Sequence, residues 1–317
     1  MYTQFFVMFA LIFTGFIMRR LELIKDEMNK SLNTFIVYWA YPCLLTYNIG
    51  TMKMNWTLIM DFMWMLLLGG VMLGVSSLYV RIYTKIRKFP DSVSNVSEMA
   101  MVCPNNGFMG FPIALSFLGS QGLFFMVAEN SAMNIFFFTY ALFVLRRNNE
   151  NKGPFSLKNT FISTTKLIIN PNIFGTIAGL VIAVLGISLN NIFGIYFNYI
   201  GAAATPMAMI FIGSTLAKNK FFELFKNRYV IESAINKLLV IPLIAVALML
   251  ILPDFIVPEM KAIIVLGFCF PTAATVAMLA EQENQDHELA SRILFFNTVL
   301  SMATVPVVIT LVDKLFL

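Results

Sequence analysis

Charge is scarce in this sequence. Asp, Glu, Lys and Arg together make up 12% of 317 residues, about half the share carried by an ordinary soluble domain. Histidine occurs once, at His287, which excludes a histidine-built metal centre or catalytic pair. Cys43, Cys103 and Cys269 stand apart in apolar surroundings without ligand spacing, and read as small core residues. There is no paired Asp, no Ser/His pair and no metal cluster, so the sequence offers no enzyme, no cofactor and no metal site of the usual kind.

What is abundant is apolar: 59% of the chain is hydrophobic, with 32 Phe and 21 Met. Runs long enough to cross a ~30 Å hydrocarbon core recur from end to end. Ten spans are read, near 4–18, 31–50, 57–80, 96–118, 121–145, 171–188, 195–216, 229–252, 259–280 and 290–313. The chain is therefore predicted to be an all-α polytopic membrane protein. The first run lacks a basic flank before it and ends in Arg19-Arg20, so it is read as a retained helix and not a cleaved signal.

The few charges check the count. Loops after odd-numbered spans carry Arg19, Arg20, Lys25 and Lys30; Arg81, Lys85, Arg87 and Lys88; Arg146, Arg147, Lys152 and Lys158; then Lys218, Lys220, Lys226 and Arg228. Loops after even-numbered spans carry little beyond Lys53 and Lys261. By the positive-inside rule the odd loops are cytoplasmic and both termini lie outside. The acidic loop Glu281 to Glu288 is the exception. Concentrated in these loops, the basic excess is no sign of nucleic acid binding.

The two halves resemble each other weakly. Phe35-Ile36 to Pro42 is spaced like Tyr199-Ile200 to Pro206, Asn130-Ser131 matches Asn297-Thr298, and Pro104 matches Pro271. Five spans per copy is an odd number, so the second copy must be inverted. The reading is a first repeat at 1–145, a cytoplasmic linker at 146–170 and a second repeat at 171–317. Within the linker, Leu157 to Ile169 is either an interfacial helix or a loop.

One apolar segment in each half is interrupted. The first reads Cys103-Pro104-Asn105-Asn106-Gly107-Phe108-Met109-Gly110-Phe111-Pro112, the second Gly267-Phe268-Cys269-Phe270-Pro271-Thr272-Ala273-Ala274-Thr275. Such breaks persist in a membrane only where they are buried in protein or line a wet cavity. A matched pair in two repeats is the best sequence pointer to a transporter's binding site. Each break starts a new half-helix whose free N–H groups and positive dipole end suit an anion. The candidate substrate residues are Pro104, Asn105, Asn106, Gly107, Pro271, Thr272 and Thr275. Glu129, beside Asn130 and one turn before Asn134, is an intramembrane acid. It is either an ion-coupling residue, binding a proton or sodium, or a structural acid. Asn297 and Ser301 share a helix face, either backing the second break or bonding between helices. Asp61 lies near a span end.

The first break and the stretches Gly201 to Gly213, Phe270 to Glu281 and Thr304-Val305-Pro306 resemble the auxin efflux carrier family, which includes plant carriers and bacterial malate or malonate permease-like proteins. The resemblance implies a fold shared with bile-acid symporters and sodium/proton antiporters, with the two breaks as crossover helices. It implies a scaffold from 1–52 and 171–216 and a mobile transport domain from 56–145 and 229–317, working as an elevator, in a homodimer. It implies that Asn105 is the crossover asparagine and that Asp61 occupies the place of an acid at the start of span 3. A basic residue one turn on in plant carriers is Met65 here. The function read from both lines is secondary transport of a small organic carboxylate across the plasma (cell inner) membrane, coupled to sodium, a proton or neither. A sodium/proton antiporter and a non-transporting solute sensor are the alternatives.

The orientation is directly testable. With the native cysteines removed, a cysteine at Ser120 is expected to react with an impermeant thiol reagent in intact cells, and one at Asn151 is not. The opposite pattern overturns the topology.

Overall fold

The computed structural model describes residues 2–147, 171–217, 227–253 and 255–317. The expected linker at 146–170 lies outside them apart from Arg146 and Arg147, as do Lys218, Lys220 and Lys226 of the charge pattern. Among the described residues there is no strand, and backbone groups are paired mainly within helices. This is what a chain without water to solvate its backbone requires. The elements are α1 (Tyr2–Arg20), α2 (Asp26–Phe35), α3 (Tyr41–Gly50), α4 (Trp56–Ile86), α5 (Asp91–Val102), α6 (Phe111–Phe136), α7 (Leu142–Arg146), α8 (Pro171–Val184), α9 (Ile192–Ala202), α10 (Ala204–Leu216), α11 (Arg228–Ile235), α12 (Ile241–Leu250), α13 (Pro258–Cys269), α14 (Ala274–Gln282) and α15 (His287–Phe316).

Five described stretches are long and apolar enough to cross a membrane: Trp56–Ile86, Asn106–Leu145, Ile192–Leu216, Arg228–Leu250 and His287–Phe316. The chain is a multi-pass helical membrane protein. The second of these stretches is not one rod. Leu118 and Gly119 leave helical geometry inside α6, and Gly119 takes φ 62°, a conformation open to glycine at no steric cost. The turn falls between the expected spans 96–118 and 121–145.

Proline sets a second regularity. Wide π turns at Ile36–Ala40, Asn106–Gly110 and Asn236–Val240 each run directly into a helix with proline at its second residue, Pro42, Pro112 and Pro242. Proline has no N–H and its ring clashes with the carbonyl four residues back. The wider turn accommodates both without ending the helix. The acidic loop has a local role too. Asp286 Oδ1 accepts the Leu289 N–H at 2.8 Å and Glu288 lies in the first turn of α15, where acids favour a helix start.

The chain divides into two compact units. Unit 1 comprises residues 1–62, 111–127 and 168–219. Its packing is set by small residues that let backbones touch. Gly15 of α1 faces the Ile210 backbone of α10, and Gly213 of α10 faces the carbonyl of Ile12, with Phe16 N 2.9 Å from where a Cβ would stand. Gly175 of α8 meets Pro42 of α3 at 2.6 Å in the same sense, and Gly201 of α9 meets Leu44 at 2.7 Å. This is the small-residue helix packing of membrane proteins. Gly201 is thus used inside the chain.

Unit 2 comprises residues 63–110, 128–167 and 220–317. In it α15 packs on α5, α11, α13 and α14. A buried carboxylate, Glu98 of α5, is held by Arg81 at 2.9 Å, Arg147 at 3.3 Å, Ser94 at 2.9 Å and Thr84 at 3.0 Å. Glu232 of α11 accepts from Arg87 at 2.8 Å and Tyr83 at 2.9 Å. Both acids have partners sufficient for their charge.

Candidate functional site

Within unit 2 the two interruptions form one structure. The α5 helix stops at Val102 and α13 at Cys269, and the peptides that follow are extended. They run antiparallel and pair at Pro104 and Thr272. Asn105 N donates to Pro271 O at 2.8 Å and Ala273 N donates to Cys103 O at 3.0 Å. Neither proline has an N–H to give, so the flanking residues supply the donors. Each break satisfies backbone groups the other leaves open, which is why neither would survive alone in an apolar interior.

Side chains complete the joint. Thr272 is fully buried, donates its hydroxyl to Ala100 O at 2.6 Å and accepts from Asn297 Nδ2 at 2.9 Å. Its hydroxyl is committed to the joint. Asn297 of α15 thus bonds directly to the second break, while Ser301 closes on its own helix at Thr298 O, 2.7 Å away. Asn105 caps the new half-helix: its Oδ1 accepts Phe108 N at 3.3 Å and its carbonyl accepts Met109 N at 3.2 Å. At Gly107 a Cβ would meet nothing within 4 Å, so the backbone there is open to approach. The second new half-helix begins at Ala274, two residues after Thr272, and Thr275 is exposed.

Glu129 joins this cluster from α6. It is 1% exposed, and both carboxylate oxygens lack a hydrogen-bond partner among the described residues. Its side chain passes Gly69 of α4, where a Cβ would stand 3.3 Å from Cγ, and its carboxylate lies directly on Gly267 of α13. The Asn106 amide neighbours it, and both polar atoms of that amide are buried without a hydrogen bond of normal geometry. Asn297 Oδ1 is likewise unpaired. Asn130 is buried and Asn134 half-buried on the same helix. The contrast with Glu98 is informative: one buried acid is saturated with donors, the other faces amides and glycine. Unpaired buried acceptors are costly and suit a proton or a cation.

The fold also brings in a residue not singled out above. Lys237, in the π turn before Pro242, is 0% exposed. Its ammonium donates to Val102 O at 3.3 Å and lies 6.0 Å from the Phe268 ring centroid. A lone lysine inside Ile235-Asn-Lys237-Leu-Leu-Val-Ile-Pro242 was the available signal. Asp61, by contrast, belongs to unit 1. It is half-buried and lines a polar cavity of about 520 Å³ with Thr51, Lys53, Asn55, Ser120 and Gln121. Neither break contains a carboxylate in sequence, yet Glu129 reaches both through Asn106 and Gly267.

Comparison with known proteins places the chain among membrane transport proteins. Residues 1–309 match the family described as "Membrane transport protein", and the chain belongs to that auxin efflux carrier-like family. An "Uncharacterized transporter" of Methanothermobacter thermautotrophicus is 22% identical over 303 residues, covering 94% of this chain and 93% of the relative. A "Putative malonate transporter" of Rhizobium meliloti is 27% identical over 298 residues, covering 94% and 91%.

The contact between Glu129 and Gly267 makes a quantitative prediction. Gly267→Ala places a methyl group against the carboxylate and is expected to cost about 1–3 kcal/mol, as overpacking does. Glu129→Ala should relieve most of that, so thermal unfolding of the purified single and double variants gives a large coupling. Additive effects would show that the two residues do not touch.

Proposed function

We propose that the protein is a secondary transporter of a small organic carboxylate in the cell's inner membrane. The observation that carries the reading is the hydrogen-bonded crossing of the two interruptions, with open backbone at Gly107 beside it. Two half-helices start at this place, and their first N–H groups and dipole ends favour a negative ligand. Family membership supports transport, and the relative named for malonate supports a carboxylate.

The finer architecture is part of the same proposal: ten spans in two inverted repeats, a scaffold from 1–52 and 171–216, and a mobile domain from 56–145 and 229–317 moving as an elevator. The separation into two compact units supports such a division, with residues 56–62 and 111–127 of the expected mobile domain grouping instead with unit 1. Both termini lie outside. Unit 1 would anchor a homodimer; a monomeric mass of active protein in nanodiscs contradicts this.

Thermal shift and calorimetric titration with malonate test the substrate class. Wild type is expected to bind, and Asn105→Ala to weaken binding about tenfold or more, the value of a hydrogen bond to a charged group. If no dicarboxylate or aromatic carboxylate shifts the wild-type protein, the reading fails. Coupling is assigned to Glu129, through a proton or sodium. Glu129→Gln, which resembles the protonated acid, should abolish gradient-driven accumulation in proteoliposomes and spare exchange. Intact accumulation would make the residue structural.

A second reading, a sodium/proton antiporter on the same fold, gains from Glu129 lying against Gly267 and beside Asn106. It predicts sodium-driven proton movement in proteoliposomes containing no carboxylate substrate.

A further inference from the structure

We propose that Lys237 is a resident cation of the crossing, occupying the position at the carbonyl ends of α5 and α13 where other transporters hold a mobile sodium ion, so that this protein binds its substrate without sodium. The argument starts from the backbone. A helix C-terminus leaves its last carbonyls unpaired and carries about half a negative charge. Here α5 and α13 both end at the crossing. Unwound carbonyls and half-helix C-termini are the groups that coordinate sodium in secondary transporters.

The carbonyls at the end of α5 can be followed individually. Met99 O accepts Cys103 N at 3.0 Å, Ala100 O takes the Thr272 hydroxyl, and Cys103 O takes Ala273 N. Val102 O takes the Lys237 ammonium at 3.3 Å. From the other interruption, the Phe268 ring presents its face to the same nitrogen at 6.0 Å, the outer range of a cation–π contact. Glu129, beside both breaks, is within electrostatic reach of the ammonium. A fully buried ammonium is strongly unfavourable without such partners. Its position is fixed locally, because Asn236 in the same π turn donates to Glu232 O at 2.7 Å and accepts from the Tyr79 hydroxyl. A positive charge thus joins the C-terminal end of one half-helix to the aromatic ring of the other, with Glu129 in electrostatic reach.

This deepens the carboxylate-transport reading and removes sodium from its two coupling ions. The test has one arm that needs no substrate. Purified wild type should unfold at the same temperature in sodium chloride and choline chloride of equal ionic strength, and bind malonate equally in both. Lys237→Gln removes the charge at nearly constant length. It should gain a sodium-dependent rise in unfolding temperature, and an affinity for malonate about tenfold higher in sodium than in choline, by linkage. Lys237→Arg should remain indifferent to sodium. Sodium stabilisation of wild type overturns the proposal, as does a folded Lys237→Gln that ignores sodium. If Lys237→Gln is recovered folded only from sodium, the proposal stands; loss in both salts overturns it. Failure of malonate to bind any variant rejects the substrate class and leaves the sodium response to decide the role of Lys237.

Discussion

Everything proposed here depends on two backbone hydrogen bonds between interrupted helices, Asn105 N to Pro271 O and Ala273 N to Cys103 O. In an apolar interior each unpaired peptide group costs several kcal/mol. A break in one helix is tolerable because a break in the other supplies the missing partners. The joint then fixes the geometry around it: it places Thr272 between Ala100 and Asn297, leaves Gly107 open, and ends two helices beside Lys237. Proline contributes by what it lacks, since a residue without an N–H must leave its helix neighbours to find donors elsewhere.

Around this joint, ionisable groups divide into two kinds. Glu98 and Glu232 have arginine, tyrosine or hydroxyl partners that account for their charge. Glu129 has glycine, amides and a lysine reached through space. Saturated acids hold helices together, whereas an unsaturated acid next to the binding place can exchange a proton or a cation during a cycle. The distinction rests on partners, because Glu98 and Glu129 are both almost fully buried, at 2% and 1% exposure.

Much of this was legible in the sequence. Apolar run length marked the helices, and the small-polar breaks at Pro104 and Pro271 marked the place where backbone pairing must be exceptional. Glu129 stood out as an acid in an apolar run. What could not be read was partnership. Nothing in the order of residues says that the Thr272 hydroxyl is committed to Ala100 O, that Thr275 is exposed, or that Gly267 makes room for a carboxylate 138 positions earlier in the chain. The place of Lys237 is not legible in the sequence, because it depends on a carbonyl at Val102 that only the fold brings near.

The most direct test of the central claim is hydrogen–deuterium exchange of the purified protein with and without malonate. The amides of Asn105 and Ala273 should exchange slowly and together, since each lies in the same hydrogen-bonded joint. Malonate should add protection at Asn106 to Gly110, where the new half-helix presents its first N–H groups. Rapid exchange at Asn105 and Ala273, or protection by malonate confined to segments away from both interruptions, would contradict the account.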